Sequence, residues 1–455
     1  MLSLKSTLMS MRILLVPDSA IQGLDLEVGF NLMVRLSRPV EIMMTAFTPL
    51  ILPNGSRLPN RIAKAAMEEN MADKNHAPSD ELIRLYRRWA EGGSGLLITG
   101  NVMVDHRAMT GPGGVILESA HHVPRFAQWS SAARAQGAQV WMQINHPGRQ
   151  MPAALGQDTL APSAVAMDLG RFSSQFQPPR AMSEADIAQI TRRFVTTAML
   201  AEQCGFTGVQ IHAAHGYLIS QFLSPISNQR TDQWGGSLDN RARLLLDIVR
   251  EVRQAVSPGF AVSVKLNSAD FQRGGFSADD ARQVVAWLNP LGVDLIELSG
   301  GSYEAPAMHG QTRDGRTLAR EAYFLEFARD IRAVASMPIM VTGGIRRYPV
   351  VEQVLEQGID LVGMATALAL DPQLPRTWRA NPAAEAHLRP IPWKNKVLAS
   401  LGYMAMVKYQ LRRLSRGQGS HPDVAPLRAL LQQQWDTLVR NARYRRWVGS
   451  QRQSA

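Results

Sequence analysis

Short apolar runs recur along the chain, each followed by a stretch with helical spacing. Arg61–Ala65, Gly95–Ile98, Gln139–Ile144, Val209–Ile211, Ala261–Leu266, Leu295–Leu298, Ile339–Thr342 and Leu361–Gly363 read as buried strands. Between them, Leu82, Leu85, Tyr86 and Trp89 share one helical face, and Val123–Ala135 is helical. Ser183 and Asp186 form a capping box that opens a helix running to Cys204, and Leu238–Arg243 enters another that continues through Val249 and Val252. Pro53-Asn54-Gly55-Ser56 is a turn between two short apolar segments, predicting a hairpin. Eight strand–helix alternations predict an α/β chain folded as a (β/α)₈ TIM barrel, with an N-terminal hairpin capping its floor. A doubly wound open sheet is the competing architecture, but it calls for a Gly-rich dinucleotide fingerprint after the first strand, and none stands there.

The two ends differ from this middle. Residues 1–43 carry a short apolar run in Met11-Arg12-Ile13-Leu14-Leu15-Val16-Pro17, with no clear small-residue cleavage site for a signal peptide. The expectation is a poorly ordered extension, or a stretch upstream of the native start at Met43 or Met44. Residues 44–381 then hold the barrel, and residues 382–455 form a basic helical arm. In the arm, Leu398, Leu401, Met404, Ala405, Leu411 and Leu414 make an apolar stripe beside Lys408, Arg412, Arg413 and Arg416. A second stripe follows, with Leu427, Leu430, Leu431, Trp435 and Leu438. Packing on the barrel, or on a second subunit of a homo-oligomer, is the preferred expectation; adhesion to an anionic membrane surface is the alternative.

Composition narrows the classes. The net charge of +11 over 455 residues lies largely in that arm, so no nucleic-acid partner is expected. One cysteine, Cys204, can form neither an intrachain disulfide nor a cysteine-held cluster, which fits a cytoplasmic protein. No run reaches transmembrane length.

The candidate chemistry falls after the strands, where a parallel β/α fold exposes it. Strand one ends in Ala65, Ala66, Met67 and Glu68, small residues that let a flat ring approach the backbone. Strand two ends near Asn101, and strand three carries Gln143, an amide that both donates and accepts. Strand five holds Lys265, and strand six ends in Ser299 and Gly301. After strands seven and eight, Gly343, Gly344, Arg346, Met364 and Ala365 fit the phosphate site of many TIM barrels. Strand four leads into His212, His215 and Tyr217, two imidazoles and a phenol within six residues. His146, in a Gln-Ile-Asn-His-Pro-Gly-Arg turn, reads as structural.

The stretch His212-Ala213-Ala214-His215-Gly216-Tyr217-Leu218, followed by Phe222-Leu223-Ser224-Pro225, Arg230-Thr231-Asp232 and Gly235-Gly236-Ser237, resembles the active-site segment of the Old Yellow Enzyme family. The resemblance runs from about Phe47 to Trp378. It implies an FMN-dependent ene-reductase on a TIM barrel, with FMN held by the strand-end residues just named. Gln143 would face the pyrimidine edge of the flavin and Lys265 its N1 and O2 region. His212 and His215 would hydrogen-bond the carbonyl oxygen of an enone-type substrate, and Tyr217 would protonate the α-carbon. NADH or NADPH would reduce the flavin, a choice the residues leave open. The chain departs from the family pattern in three places: relatives often carry Cys or Thr at Glu68, Arg at Lys265 and Arg at Thr366, for which Arg346 is the substitute cation. A carboxylate at Glu68, if desolvated, would lower the flavin potential; a side chain swung to solvent would not.

Two other functions stay open on the residues. His212 and His215 could be a metal pair in a barrel hydrolase, although no third ligand is evident. A non-catalytic flavin- or ligand-binding barrel is the other. The iron–sulfur cluster and second flavin domain of some larger relatives are not expected here. Met151–Ala181 is a long connection in which Arg171, Phe172 and Phe176 could shape the substrate entrance.

Overall fold

The structure, a computed structural model, describes residues 45–305 and 324–454; the expectation for residues 1–43 lies outside them. Eight parallel strands close on themselves: β1 (Ile62–Lys64), β2 (Leu96–Ile98), β3 (Gln139–Asn145), β4 (Gly208–Ala213), β5 (Ala261–Asn267), β6 (Leu295–Ser299), β7 (Ile339–Val341) and β8 (Leu361–Met364). Each pairs with the next, and β8 returns to β1 with Gly363 beside Ala63. The helices α1 (Asp80–Glu91), α2 (Val123–Arg134), α3 (Glu184–Gln203), α4 (Leu238–Ala255), α5 (Ala278–Leu288), α6 (Leu325–Arg332) and α7 (Tyr348–Glu356) connect the strands. This is the predicted (β/α)₈ barrel.

The local reasons are those read from the residues. Helix α1 buries Leu82, Leu85, Tyr86 and Trp89, the predicted face. Helix α3 opens on the Ser183–Asp186 capping box. A second box, Ser277 with Asp280, opens α5.

Inward-facing positions change character along the barrel axis. At the floor, Ala63, Leu96, Trp141, Ala261, Leu295, Met340 and Leu361 form an apolar plug with Leu50, Leu52 and Leu58. The last three belong to the predicted hairpin, whose Leu50–Ile51 and Arg57–Leu58 strands pair antiparallel. Its turn is tied down where Asn54 N donates to Asp294 Oδ1 at 2.9 Å. Above the plug the inward residues turn polar.

Outside the barrel wall, Lys64 is fully buried between β1 and α1. Its Nζ donates to the Ile98 carbonyl at 2.8 Å and to Tyr86 Oη at 3.0 Å, reaches Glu69 Oε1 at 3.4 Å, and lies over the Tyr86 and Trp89 rings. Tyr86 Oη donates to Glu69 Oε1 at 2.6 Å, and Gly100 N donates to both Tyr86 Oη and Glu69 Oε1. The cation therefore ties the ends of β1 and β2 together.

The arm consists of α8 (Lys396–Ser415) and α9 (Pro426–Ser454). Arg84 and Arg88 of α1 donate to the carbonyls of Ser415 and Leu414. On α9, Tyr444 and Val448 pack with Met103, Met109, Ile116 and Leu155, and Tyr444 Oη donates to the His106 carbonyl at 2.7 Å. Leu427, Leu431, Trp435 and Leu438 remain exposed on the outer face of α9. Among the described residues, no helix is long and apolar enough to cross a membrane.

Burial depresses the Lys64 pKa to about 8, against the opposing pull of Glu69. In the unfolded chain the same group titrates near 10.4. Between about pH 8 and pH 10 the unfolded chain therefore binds more protons, and stability rises with pH. Urea unfolding across that window should show the rise in the wild type relative to Lys64→Met; parallel curves would remove Lys64 as its source.

Candidate active site

A cavity of about 340 Å³ opens at the C-terminal ends of the strands. Ala65, Ala66, Met67, Glu68, Asn101, Gln143, His212, His215, Tyr217, Lys265, Ser299, Gly343, Gly344, Arg346 and Ala365 all line it. Thus the strand-end residues singled out in the sequence meet at one place, with two exceptions. Gly301 lies off the wall: its N–H donates to the Ala269 carbonyl and its carbonyl accepts from Asn267 Nδ2, so it joins two loops. Met364 is a core side chain, and its carbonyl accepts from Ala65 N at 2.9 Å. Both support the wall from behind.

The turn after β4 sets the chemistry. His215 has φ +62° and Gly216 φ +73°, so the chain reverses through two left-handed residues. A Cβ on Gly216 would lie 2.7 Å from that of Ser302, which leaves room only for glycine. Asn267, at the end of β5, holds the reversal: its Oδ1 accepts from His215 N at 3.0 Å. Tyr217 is thereby turned back onto His212, with ring centroids 4.9 Å apart, while the His212 and His215 rings lie 5.0 Å apart.

His212 has a defined donor atom. Ala214 N donates to its Nδ1 at 3.2 Å. Burial and the Lys265 charge hold its pKa well below the ordinary imidazole value, so the ring is neutral and its proton sits on Nε2. His215 Nε2 pairs with Ser299 Oγ at 2.7 Å. Ser299, read as a cofactor contact, therefore also orients a histidine. Tyr217 is buried, and its Oη lies 3.0 Å from Tyr303 Oη. Burial, then the neighbouring Tyr303 and Glu68, push its pKa well above the ordinary phenol value, so it stays protonated. His146 is a buried turn residue that accepts from Gly148 N; burial lowers its pKa to about 4.

Behind the histidines lies a buried polar chain. Gln143 Nε2 donates to Gln210 Oε1 at 2.8 Å, Gln210 Nε2 to Glu297 Oε2 at 2.8 Å, and Lys265 Nζ to Glu297 Oε1 at 2.7 Å. Glu297 and Gln210 are fully buried. Sequence reading missed both, although each is a polar residue at an inward position of an apolar strand. Tyr303 was missed too. It approaches Phe176 of the long connection at 6.2 Å, and its neighbour Glu304 pairs with Arg149 at 2.5 Å. Arg171 lies over Phe172, away from these contacts.

Glu68 neither stands bare nor swings free. Its Oε1 accepts from Thr110 Oγ1 at 2.5 Å and its Oε2 from Lys408 Nζ at 3.1 Å. Among the described residues, no grouping of three metal-ligand side chains includes His212 or His215. Among the described residues, the grouping of metal-ligand type is Asp105, His106 and Glu118, whose carboxylates already pair with Arg107 and Arg193.

The residues fit FMN. Gln143 keeps its carbonyl and second amide proton for a partner in the cavity, and Lys265 keeps two of its three protons. Ala65 and Ala66 leave one wall flat. Asn101 has a buried Oδ1 with no protein partner. Gly343 and Gly344, at φ +121° and +74°, form a backbone cradle beside Arg346.

A family model for NADH:flavin oxidoreductases and NADH oxidases matches residues 45–385. The chain belongs to this family. An NADH-dependent flavin oxidoreductase of Hypocrea jecorina is 36% identical over 358 residues, 74% of this chain and 89% of that protein. One from Neonectria sp. is 39% identical over 359 residues, 73% of this chain; the chain spans only 47% of that relative's length. Among solved structures, the Old Yellow Enzyme homologue of Zymomonas mobilis superposes with a TM-score of 0.64 at 24% identity, covering 75% of this chain and 94% of that one, which speaks for the fold. The Old Yellow Enzyme resemblance therefore holds, and the cofactor of this flavin oxidoreductase family is FMN.

Removing Glu297 would leave Lys265 charged and unpaired inside the barrel. Glu297→Ala should cost about 3–5 kcal/mol of stability in urea unfolding. Replacing both partners by Met should cost less; equal losses would mean that the pair is not what the barrel depends on.

Proposed function

We propose that the protein is an ene-reductase that saturates the C=C bond of α,β-unsaturated carbonyl compounds. The observation that carries this reading is a neutral imidazole N–H and a protonated phenol facing one cavity beside a buried cation. Bound FMN, reduced by NADH or NADPH, would supply the hydride. His212 and His215 bind the substrate carbonyl oxygen and stabilise the negative charge that develops there, as preorganised donors do. His212 acts through Nε2, because Nδ1 is occupied. Tyr217 holds a proton at Oη for the α-carbon, and Tyr303 positions that hydroxyl. One hydride and one proton complete the two-electron reduction. Lys265, paired with Glu297, puts a positive group in the cavity wall that would stabilise the reduced, anionic cofactor.

The relatives named above support NADH as a reductant, and a Bacillus subtilis NADPH dehydrogenase, 32% identical, supports NADPH. Residues 44–381 would be the catalytic barrel and residues 382–455 an appended arm, with a cytoplasmic location.

The test is anaerobic. NADH or NADPH should bleach the flavin, and a cyclic enone should restore its colour with formation of the saturated ketone. In Tyr217→Phe, bleaching should continue within a few-fold while recolouring with enone slows roughly 10²-fold or more. A flavin that bleaches but ignores enones would overturn the substrate class. Equal recolouring rates would remove Tyr217 as the proton donor.

A further inference from the structure

The cavity has a wall that does not come from the barrel. Tyr403, Met404, Val407, Lys408 and Leu411 line it together with the strand ends. Their spacing puts them on one stripe of α8. Helix α8 begins at Lys396, beyond residue 385, where the family match ends.

Two polar contacts hold that stripe in place. Lys408 Nζ donates to Glu68 Oε2 at 3.1 Å and also to Asn70 Oδ1. With Thr110 on the other carboxylate oxygen, Glu68 is bound by the loop after β2 and by the arm at once. The Lys408 and Glu68 side chains are 14% and 25% exposed, enough burial for an unpaired charge to be costly there. Burial pushes the Glu68 carboxyl up, but Lys408 and its hydrogen bonds outweigh this and hold it below the usual carboxylate range. Five residues earlier, Tyr403 lines the cavity with Thr366 and Arg346, beside the glycine cradle.

We infer that α8 completes the cofactor cavity, and that Lys408 is a positioning residue that fixes it there and compensates the Glu68 charge facing the cofactor. The inference rests on the assignment of this cavity to FMN. Reduction adds electrons to the bound group. A bare carboxylate in the wall opposes that addition, a bare cation favours it, and a compensated pair does neither.

The experiment uses the full-length protein loaded with FMN. Wild type, Lys408→Met, Glu68→Gln and the double variant are compared for midpoint potential by dye-coupled titration and for FMN dissociation by fluorescence. Lys408→Met should shift the potential negative and weaken FMN binding at least tenfold. Glu68→Gln should shift the potential positive. The double variant should return towards the wild-type potential, which a purely structural role for Lys408 would not produce. Should Lys408→Met fail to fold, the nearly isosteric Glu68→Gln carries the test alone. Wild-type potentials in both single variants would overturn the inference, and so would a double variant that follows Lys408→Met. If the wild-type protein takes up no FMN, the cavity assignment falls and the inference with it; if it takes up FMN and the variants are unmoved, only the inference falls.

Discussion

The Lys265–Glu297 ion pair sits inside the barrel, and the candidate active-site face is built around it. Lys265 and Glu297 occupy neighbouring inward positions on β5 and β6, with nitrogen and oxygen 2.7 Å apart and almost no exposure. Either charge alone would be costly there. Their pairing lets a cation stand at the base of the cavity and gives Gln210, and through it Gln143, a fixed orientation. The Lys265 charge also helps to keep His212 neutral. A group that serves as a counter-charge for one neighbour is thus a proton excluder for another.

The same logic recurs on the outer side of the wall, where Lys64 is held between aromatic rings and Glu69. That cluster decides where the ends of β1 and β2 lie, and these ends carry Ala65, Ala66, Met67, Glu68 and Asn101. The cavity is therefore framed by two buried lysines with opposite tasks. One faces in and shapes the electrostatics; the other faces out and shapes the backbone.

The barrel was legible because its strands are short apolar runs and its helices carry their caps, and both signals are local. The histidines and Tyr217 were legible because they cluster at the end of one strand and just beyond it. Glu297 and Gln210 were not noticed, since a polar residue in an apolar run gives no sign of its partner on the next strand. Tyr303 and Asn267 escaped for a related reason: each matters through a contact with the segment around His215 and Tyr217, far off in sequence. For Glu68 the residues left two readings, and the structure supplies a third, a partner 340 positions away. Long-range pairing of this kind leaves no periodicity to read.

The exposed face of the cavity is finished by a helix encoded downstream of the barrel. A site assembled in this way can be reshaped without touching the strands that hold its proposed reacting groups. Substitutions along α8 would alter the shape and charge around the cofactor while leaving His212, His215 and Tyr217 on their own scaffold. The tail is then the part of the gene through which a common flavin oxidoreductase barrel could be fitted to a new molecule.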